Sequence, residues 1–319
     1  AGKAYGVRVA ADLIGAADPV ARARELEALG VSHVGYHTAI DEQMRGETPL
    51  QELRDVCAAV AVPVAVAGGI NSETAARAVE AGAGIVIVGG AINKAPDARK
   101  ATEEIKRAIA ERIVVQTQRY TRVGPGQVRE MLMRVPTADI STGNHDWPGI
   151  GSFIQVCPGV KMAGPAFTCR TLTGDWSKPV QAIDHARPGD VLVIDAGGRA
   201  PAVWGEMASR SARQRGLAGV VIDGAVRDVA EIRRLGLPVF ARLARPDAGK
   251  PKGLGELAVA VEIDGHSVRP GDWIVGDDDG LMVLPKARAV EMANRAQDIL
   301  EAENRVRREL IDGQTTLGK

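Results

Sequence analysis

The sequence predicts an α/β protein in two parts: a partial (β/α) barrel of four βα units, then a larger α/β domain with a strand-rich core. Three observations lead there. From Gly6 to about Arg112, short β-branched apolar runs alternate four times with amphipathic stretches. Beyond residue 125, strand-like runs outnumber helical ones and Gly-Asp turns multiply. Aromatics make up only 3% while Gly reaches 37 of 319 residues, which suits aliphatic strands packed close to glycine-rich turns.

The first four strands are read at VRVAADLIG (7–15), SHVGYHT (32–38), PVAVAGG (63–69) and GIVIVGG (84–90). Continuous apolar runs separated by helices are what a parallel sheet covered on both faces requires. Asp18 and Ser72 are expected as helix N-caps, and Gly30 and Gly82 as C-terminal caps. Four units occupy barely half of the ~250 residues of a closed barrel. The partial barrel is therefore assigned to 1–112, a linker to 113–125, and the second domain to 126–319. There a helix is read at 126–134, strands near 160–172, 190–195, 218–223 and 237–243, a strand-rich tail at 259–284, and a closing helix at about 286–312.

Forty basic and forty acidic side chains cancel, so nothing marks a nucleic-acid partner. No apolar run approaches the ~20 residues needed to span a bilayer, which argues against a membrane role. Cys57, Cys157 and Cys169 are odd in number and widely spaced, without disulfide or zinc spacing, as expected of reduced thiols in the cytoplasm. The opening Ala-Gly-Lys runs almost at once into a strand, so the chain is expected to begin in mid-fold.

Two sets of residues could carry chemistry. In the first part, Gly68-Gly69 and Gly89-Gly90 end successive strands and lead into helices, where backbone N–H groups can cradle a phosphate. Asp12 and His37 also end strands, the position where barrels place working groups. In the second part, a strand ending at Asp195, a glycine-rich turn, a helix starting near Gly205 and a strand ending near Asp223 converge on Arg227-Asp228. The turn Gly205-Glu206-Met207-Ala208 would offer unpaired N–H groups to a carboxylate, and Arg227 a planar fork of donors. Asp228 is not expected to pair with its own neighbour, but can face a divalent cation. Glu231 falls on the same side if a helix starts there. Few, hard oxygen donors suggest Mg2+ or Mn2+. Asp277-Asp278-Asp279 before Gly280 is read as a hairpin turn, and His145, His185 and His266 as surface residues.

ADLIG, YHTAIDEQ, PVAVAGGIN and IVIVGGAI together resemble the second half of 3-hexulose-6-phosphate synthase, in the orotidine-monophosphate-decarboxylase superfamily of TIM barrels. The resemblance implies an active-site role for His37, substrate binding for Asp12, and a sugar-phosphate cradle at Gly68, Gly69, Gly89 and Gly90. The Asp-x-Lys-x-x-Asp motif that handles the enediolate is absent from all 319 residues, so a phosphate-binding remnant without aldol catalysis is expected. Its rival is a bifunctional synthase fusion completed by sequence upstream of Ala1.

TADIS (137–141), GPAFTCRT (164–171), PGDVLVIDAGG (188–198), WGEMAS (204–209), GVVIDGAVRD (219–228) and GDWIVGDDDGLMVLP (271–285) resemble the RraA-like family. Its enzyme members are 4-hydroxy-4-methyl-2-oxoglutarate aldolases with oxaloacetate decarboxylase activity; its name-giving members bind and inhibit a ribonuclease. The resemblance implies substrate binding by Gly205 to Ala208 and Arg227, metal binding by Asp228, a supporting role through water for Glu231, and a homotrimer or hexamer. A metal-dependent lyase that releases pyruvate from a 2-oxoacid is the expected activity, and a non-catalytic ribonuclease regulator the alternative.

Overall fold

The computed structural model describes residues 2–46, 50–117, 120–313 and 316–317. The chain divides into two compact units, Ala1–Pro125 with Asp298–Lys319, and Gly126–Gln297. Sequence pattern places the closing helix wholly in the second part, but its residues from 298 group with the first.

In the first unit, β1 (Ala10–Asp12), β2 (His33–His37), β3 (Val64–Ala67) and β4 (Ile85–Val86) form a parallel sheet in that order. Helices α1 (Pro19–Ala28), α2 (Ile40–Met44), α3 (Leu50–Ala59), α4 (Ala75–Glu80), α5 (Gly90–Asn93) and α6 (Ala98–Glu111) connect or follow the strands. This is the expected βα series, and the described strands do not close into a barrel. The two outer strands are shorter than their apolar runs predict. Val7, Val9 and Ile87 stay exposed because each outer strand has a neighbour on one side only.

Asp18 does cap α1, accepting from Ala21 N at 2.9 Å, and Gly30 and Gly82 take the left-handed conformation just past their helices (φ +80° and +105°). Ser72 does not cap α4. The Asn71 carboxamide accepts from Glu73 N and Thr74 N, and Ser72 Oγ donates instead to Val115 O at 2.8 Å. That bond, together with Thr117 N to Glu73 Oε1 at 2.8 Å, ties the expected linker against residues 71–73.

The second unit begins with α7 (Val128–Arg134) and α8 (Thr137–Gly143), the latter over a polar stretch that sequence pattern does not mark as a helix. Then come β5 (Gly149–Ile150), β6 (Ile154–Gln155), β7 (Met162–Thr171), α9 (Ser177–His185), β8 (Val191–Asp195), β9 (Ala202–Trp204), α10 (Glu206–Arg215), β10 (Gly219–Val226), α11 (Val229–Leu235) and β11 (Val239–Ala244). The tail folds as β12 (Gly255–Leu257), β13 (Val261–Ile263), β14 (His266–Val268), β15 (Trp273–Asp277) and β16 (Gly280–Leu284), before α12 (Ala289–Asp312). β7, β8, β10 and β11 are parallel neighbours at the centre of a sheet ordered β5-β16-β15-β7-β8-β10-β11-β6.

Side chains alternate across this sheet with the two-residue period of a strand. Leu192, Ile194, Val220 and Ile222 pack with the core formed under α9, α10 and α11. Val191, Val193, Val221 and Phe240 pack on the other face with Ile274 and Leu281. Burial on both faces is why these strands read as unbroken apolar runs. The hairpin β13–β14 turns at Asp264-Gly265, both with positive φ, as a two-residue turn of this hand requires. Asp277 closes the β15–β16 hairpin, and its carboxylate accepts from Thr137 N (2.9 Å) and Thr137 Oγ1 (2.5 Å) rather than forming part of a cation loop.

Candidate active site

The ends of β9 and β10 and the start of α10 enclose a pocket of ≈ 220 Å³. β9 pairs with the last residues of β10 beyond a break in register, which brings Trp204 beside Val226 and sets Gly205 against Arg227-Asp228. Arg227 N donates to Trp204 O at 3.0 Å, and the Trp204 indole N–H donates to Ser209 Oγ at 2.8 Å, locking strand, helix and ring together.

Gly205, Glu206, Met207, Ala208, Arg227 and Asp228 all line this pocket, so the structure gathers the residues singled out from sequence. Gly205 is extended (φ −161°), so its value lies in space rather than in conformation. A Cβ there would stand 2.6 Å from Asp228 Oδ2 and 3.3 Å from Arg227 Cγ.

The Asp228 backbone is left-handed (φ +58°, ψ +35°), a conformation that Asp tolerates better than most residues and that costs about 1–3 kcal/mol. It folds the carboxylate back over its own neighbour. Contrary to the expectation that adjacent residues would not pair, Arg227 Nε lies 3.5 Å from Asp228 Oδ2. The same oxygen accepts from Glu206 N, the first N–H of α10, at 3.2 Å. Met207 and Ala208 follow in that first turn, where N–H groups have no partner within the helix. Both side chains of the Arg227-Asp228 pair are partly open to solvent.

Glu231 stands in the first turn of α11, as expected, but its carboxylate pairs with Arg234 and it does not line the pocket. Glu206 is likewise engaged, by Arg210. Asp195 and Asp223 lie side by side on β8 and β10. Their carboxylates turn to Arg170 (3.6 Å) and Arg242 (3.0 Å) respectively, and neither residue lines the pocket.

The remaining wall is apolar: Trp176 and Val180 from α9 and its N-terminal flank, Ala202, Val203 and Trp204 from β9, and Ala248. Asp175 holds two of these pieces in place. Fully buried, it accepts from Ser177 N (3.0 Å), Lys252 N (3.0 Å) and Leu254 N (2.9 Å), joining the start of α9 to the 248–254 loop. Burial alone would raise its carboxyl, and these N–H donors more than offset that, pulling it down to about 2.

Among the described residues no three His, Cys, Asp or Glu side chains cluster closely enough to hold a metal by themselves. Two carboxylate side chains line the pocket, and with Glu206 held by Arg210 the one left to a cation is Asp228; Mg2+ keeps most of its waters and takes one or two carboxylates plus substrate oxygens, which such a lining fits.

In the first unit, Asp12 and His37 meet on adjacent strands, His37 Nδ1 lying 3.6 Å from Asp12 Oδ2. Gly68 and Gly69 line a second cavity. Gly89 and Gly90 do not, because the Tyr120 ring lies against Gly90, where a Cβ would come within 2.4 Å of it.

Residues 6–131 match the histidine biosynthesis protein family. The first part is thus similar to that family, and its likeness to 3-hexulose-6-phosphate synthase is partial. The synthase of Salmonella typhimurium is 33% identical over 34% of this chain and 53% of its own, at a TM-score of 0.33.

Residues 137–283 match the RraA-like family, described as Aldolase/RraA. An uncharacterized protein of Methanocaldococcus jannaschii is 42% identical over 47% of this chain and 74% of its own length. A protein of Halalkalibacterium halodurans named "Putative 4-hydroxy-4-methyl-2-oxoglutarate aldolase" is 37% identical over 51% of this chain and 79% of its own. The crystal structure of Streptomyces coelicolor RraAS2, described as an unusual member of the RNase ES inhibitor RraA protein family, is 28% identical over 59% of this chain and 98% of its own, with a TM-score of 0.50. Across residues 137–283, this chain belongs to the RraA-like family of Aldolase/RraA proteins.

Proposed function

We propose that the second unit is a divalent-metal-dependent carbon–carbon lyase that cleaves a 2-oxoacid to give pyruvate. The observation that carries this reading is the convergence of Arg227, Asp228 and the first turn of α10 on one apolar-walled pocket. The name of the Halalkalibacterium relative supports it.

Arg227 and the N–H groups of Met207 and Ala208 bind and orient the substrate carboxylate. Asp228 would hold Mg2+ or Mn2+, and a cation there supplies Lewis-acid stabilisation of the charge that grows on the keto oxygen. Trp176, Val180 and Trp204 exclude water from the breaking bond, which strengthens each polar interaction inside. In the aldol cleavage the C3–C4 bond breaks, its electron pair moves into the keto group as a pyruvate enolate, and the C4 hydroxyl loses its proton to become a carbonyl. Protonation of the enolate at C3 gives pyruvate. Decarboxylation of oxaloacetate passes through the same enolate, so one pocket serves both.

The test is pyruvate release from oxaloacetate and from 4-hydroxy-4-methyl-2-oxoglutarate with added Mg2+, with EDTA, and in Asp228→Ala. The expected loss in the variant is on the order of a hundredfold or more. Turnover that survives both EDTA and the substitution would sink the reading. The likeness to Streptomyces coelicolor RraAS2, a member of a ribonuclease-inhibitor family, supports a second reading, a ribonuclease-binding regulator. Under that reading, inhibition of a purified ribonuclease E-type enzyme persists in Asp228→Ala.

A further inference from the structure

Two kinds of surface line the pocket beside Gly205, and they come from different elements. The polar groups belong to the first turn of α10 and to Arg227-Asp228, just past β10. The apolar ones belong to α9 and its flank, to β9 and to Ala248. The polar set has donors for one carboxylate. Among the described residues, Arg227 is the one cation that lines the pocket, and it already shares its charge with Asp228 at 3.5 Å. Arg210, one turn along α10, is taken by Glu206. Lys178 is two residues before Val180 on α9, a spacing that turns it to another side of the helix, and its ammonium donates to Gln181 Oε1 at 2.9 Å. Arg245, just past β11, holds Asp247 at 3.1 Å. A second carboxylate would therefore meet two acidic side chains, Glu206 and Asp228, and a hydrocarbon wall. Burying a charge without a partner is strongly unfavourable.

The apolar set, in contrast, is large and open. Trp176, Val180 and Met207 line this concave site while remaining 37%, 40% and 76% exposed. The Trp204 indole N–H is committed to Ser209 Oγ, so that ring has no donor left for a ligand. Large apolar groups left open around one pocket are stabilised by apolar ligand surface that removes them from water. Met207, unbranched and at the start of α10, can follow substituents of different width.

Resting on the reading of this pocket as a 2-oxoacid lyase site, we propose that its substrate is a 4-hydroxy-2-oxoacid with a single carboxylate and an apolar substituent at C4, selected by Trp176, Val180 and Met207. Such a substrate differs from 4-hydroxy-4-methyl-2-oxoglutarate at the position where that compound carries its second carboxylate. Cleavage breaks the C3–C4 bond and leaves its electron pair in the pyruvate enolate. The C4 hydroxyl loses its proton, C4 departs as an apolar ketone or aldehyde, and the enolate takes a proton at C3.

The experiment has a kinetic and a binding arm, both on the full chain with Mg2+. The first compares consumption of 4-hydroxy-4-methyl-2-oxopentanoate, whose products are pyruvate and acetone, with that of 4-hydroxy-4-methyl-2-oxoglutarate. The second compares, by calorimetry, 4-methyl-2-oxopentanoate with 2-oxoglutarate, neither of which has the C4 hydroxyl that cleavage needs. The monocarboxylate is expected to lead by about tenfold or more in kcat/KM and in Kd, the range that one group in an apolar pocket commands. Val180→Lys supplies a cation at an exposed position of the wall and should narrow or reverse both ratios while preserving the thermal midpoint. Trp176→Phe, which keeps an aromatic surface without the indole N–H, should retain them. An equal or opposite preference in either arm, or ratios unmoved in Val180→Lys, would overturn the proposal, and the lyase reading still stands if pyruvate is released. Cleavage of neither hydroxyacid overturns the lyase reading and the proposal together, and the calorimetric order then reports the selectivity of the pocket alone.

Discussion

Substituting Gly205 by alanine separates the chemistry of the pocket from the stability of the fold. The glycine is extended, a conformation that alanine adopts freely, so no backbone strain enters. The new methyl carbon would start 2.6 Å from Asp228 Oδ2, and the carboxylate must retreat by roughly 0.8 Å to reach ordinary contact at 3.4 Å. Because that oxygen ends a partly exposed side chain, it can move, at the expense of the 3.2 Å bond from Glu206 N. One charge-assisted bond at the surface is worth about 1 kcal/mol, which lowers the melting temperature of a unit of this size by only ~2–4 °C. A catalytic group displaced by nearly 1 Å loses on the order of a hundredfold in rate. The assay is kcat/KM for pyruvate release across a Mg2+ titration, with calorimetric melting alongside. A Gly205→Ala enzyme with near wild-type kcat/KM and unchanged Mg2+ half-saturation would refute the assignment of chemistry to this pocket. A loss of activity matched by gross unfolding would refute the claim that the contact is local.

Four further outcomes follow from packed contacts. The Asp175 carboxyl is depressed to about 2 in the folded state and ordinary, near 3.9, in the unfolded one, so its contribution is fully present above pH ~4 and lost as pH falls through about 2. Urea midpoints measured from pH 5 to pH 2 should fall steeply for wild type and less steeply for Asp175→Ala, and parallel slopes would exclude this carboxylate as the source. Asp175→Ala should also cost about 3 kcal/mol or more at neutral pH, since three buried N–H groups lose their acceptor. Asp277→Ala should destabilise by about 3–5 kcal/mol, because Lys161, with its ammonium already disfavoured by burial, loses the carboxylate 3.4 Å away; adding Lys161→Met should recover part of that in chemical denaturation. Gly90→Ala drives a methyl group into the Tyr120 ring and should destabilise the first unit, and Tyr120→Ala in the same chain should restore much of the loss in thermal melts.

Much of the fold was legible because its signals are local. Strands buried on both faces, such as Val191–Asp195 and Gly219–Val226, read as unbroken aliphatic runs wherever they sit in the sheet. Asp18 caps the helix that follows it by a contact three residues long. The misreadings are long-range. Ser72 looked like a cap, but a carbonyl 43 residues away takes its hydroxyl, while Asn71 accepts from the N–H groups of the turn that leads into the helix. The segment after Arg112 looked like a linker, since nothing in its composition shows that Ser72, Glu73 and Asn71 will hydrogen-bond to it. Asp298 looked like one more charge on a solvated helix; its partners, Lys94 and Arg122, lie more than 170 residues earlier.

At the candidate site the same division explains what pattern could and could not deliver. Gly205 to Ala208 and Arg227-Asp228 were found because a strand, turn and helix followed by a second strand bring two strand ends together regardless of detail. What the pattern missed was the conformation of one residue. The sequence reads Asp228 as turned from Arg227 toward a cation, with Glu231 three residues on as its companion. Once Asp228 turns left-handed, its carboxylate swings toward Gly205 and the start of α10, and Glu231 is left to Arg234. The absence of a side chain at position 205 makes room for that turn, and the first N–H of α10 gives the carboxylate a donor. The glycine, the strained aspartate and the helix start therefore depend on one another. A chain that keeps the Arg-Asp pair but carries any side chain at the position of Gly205 should be unable to adopt this arrangement, whatever the rest of its motif says.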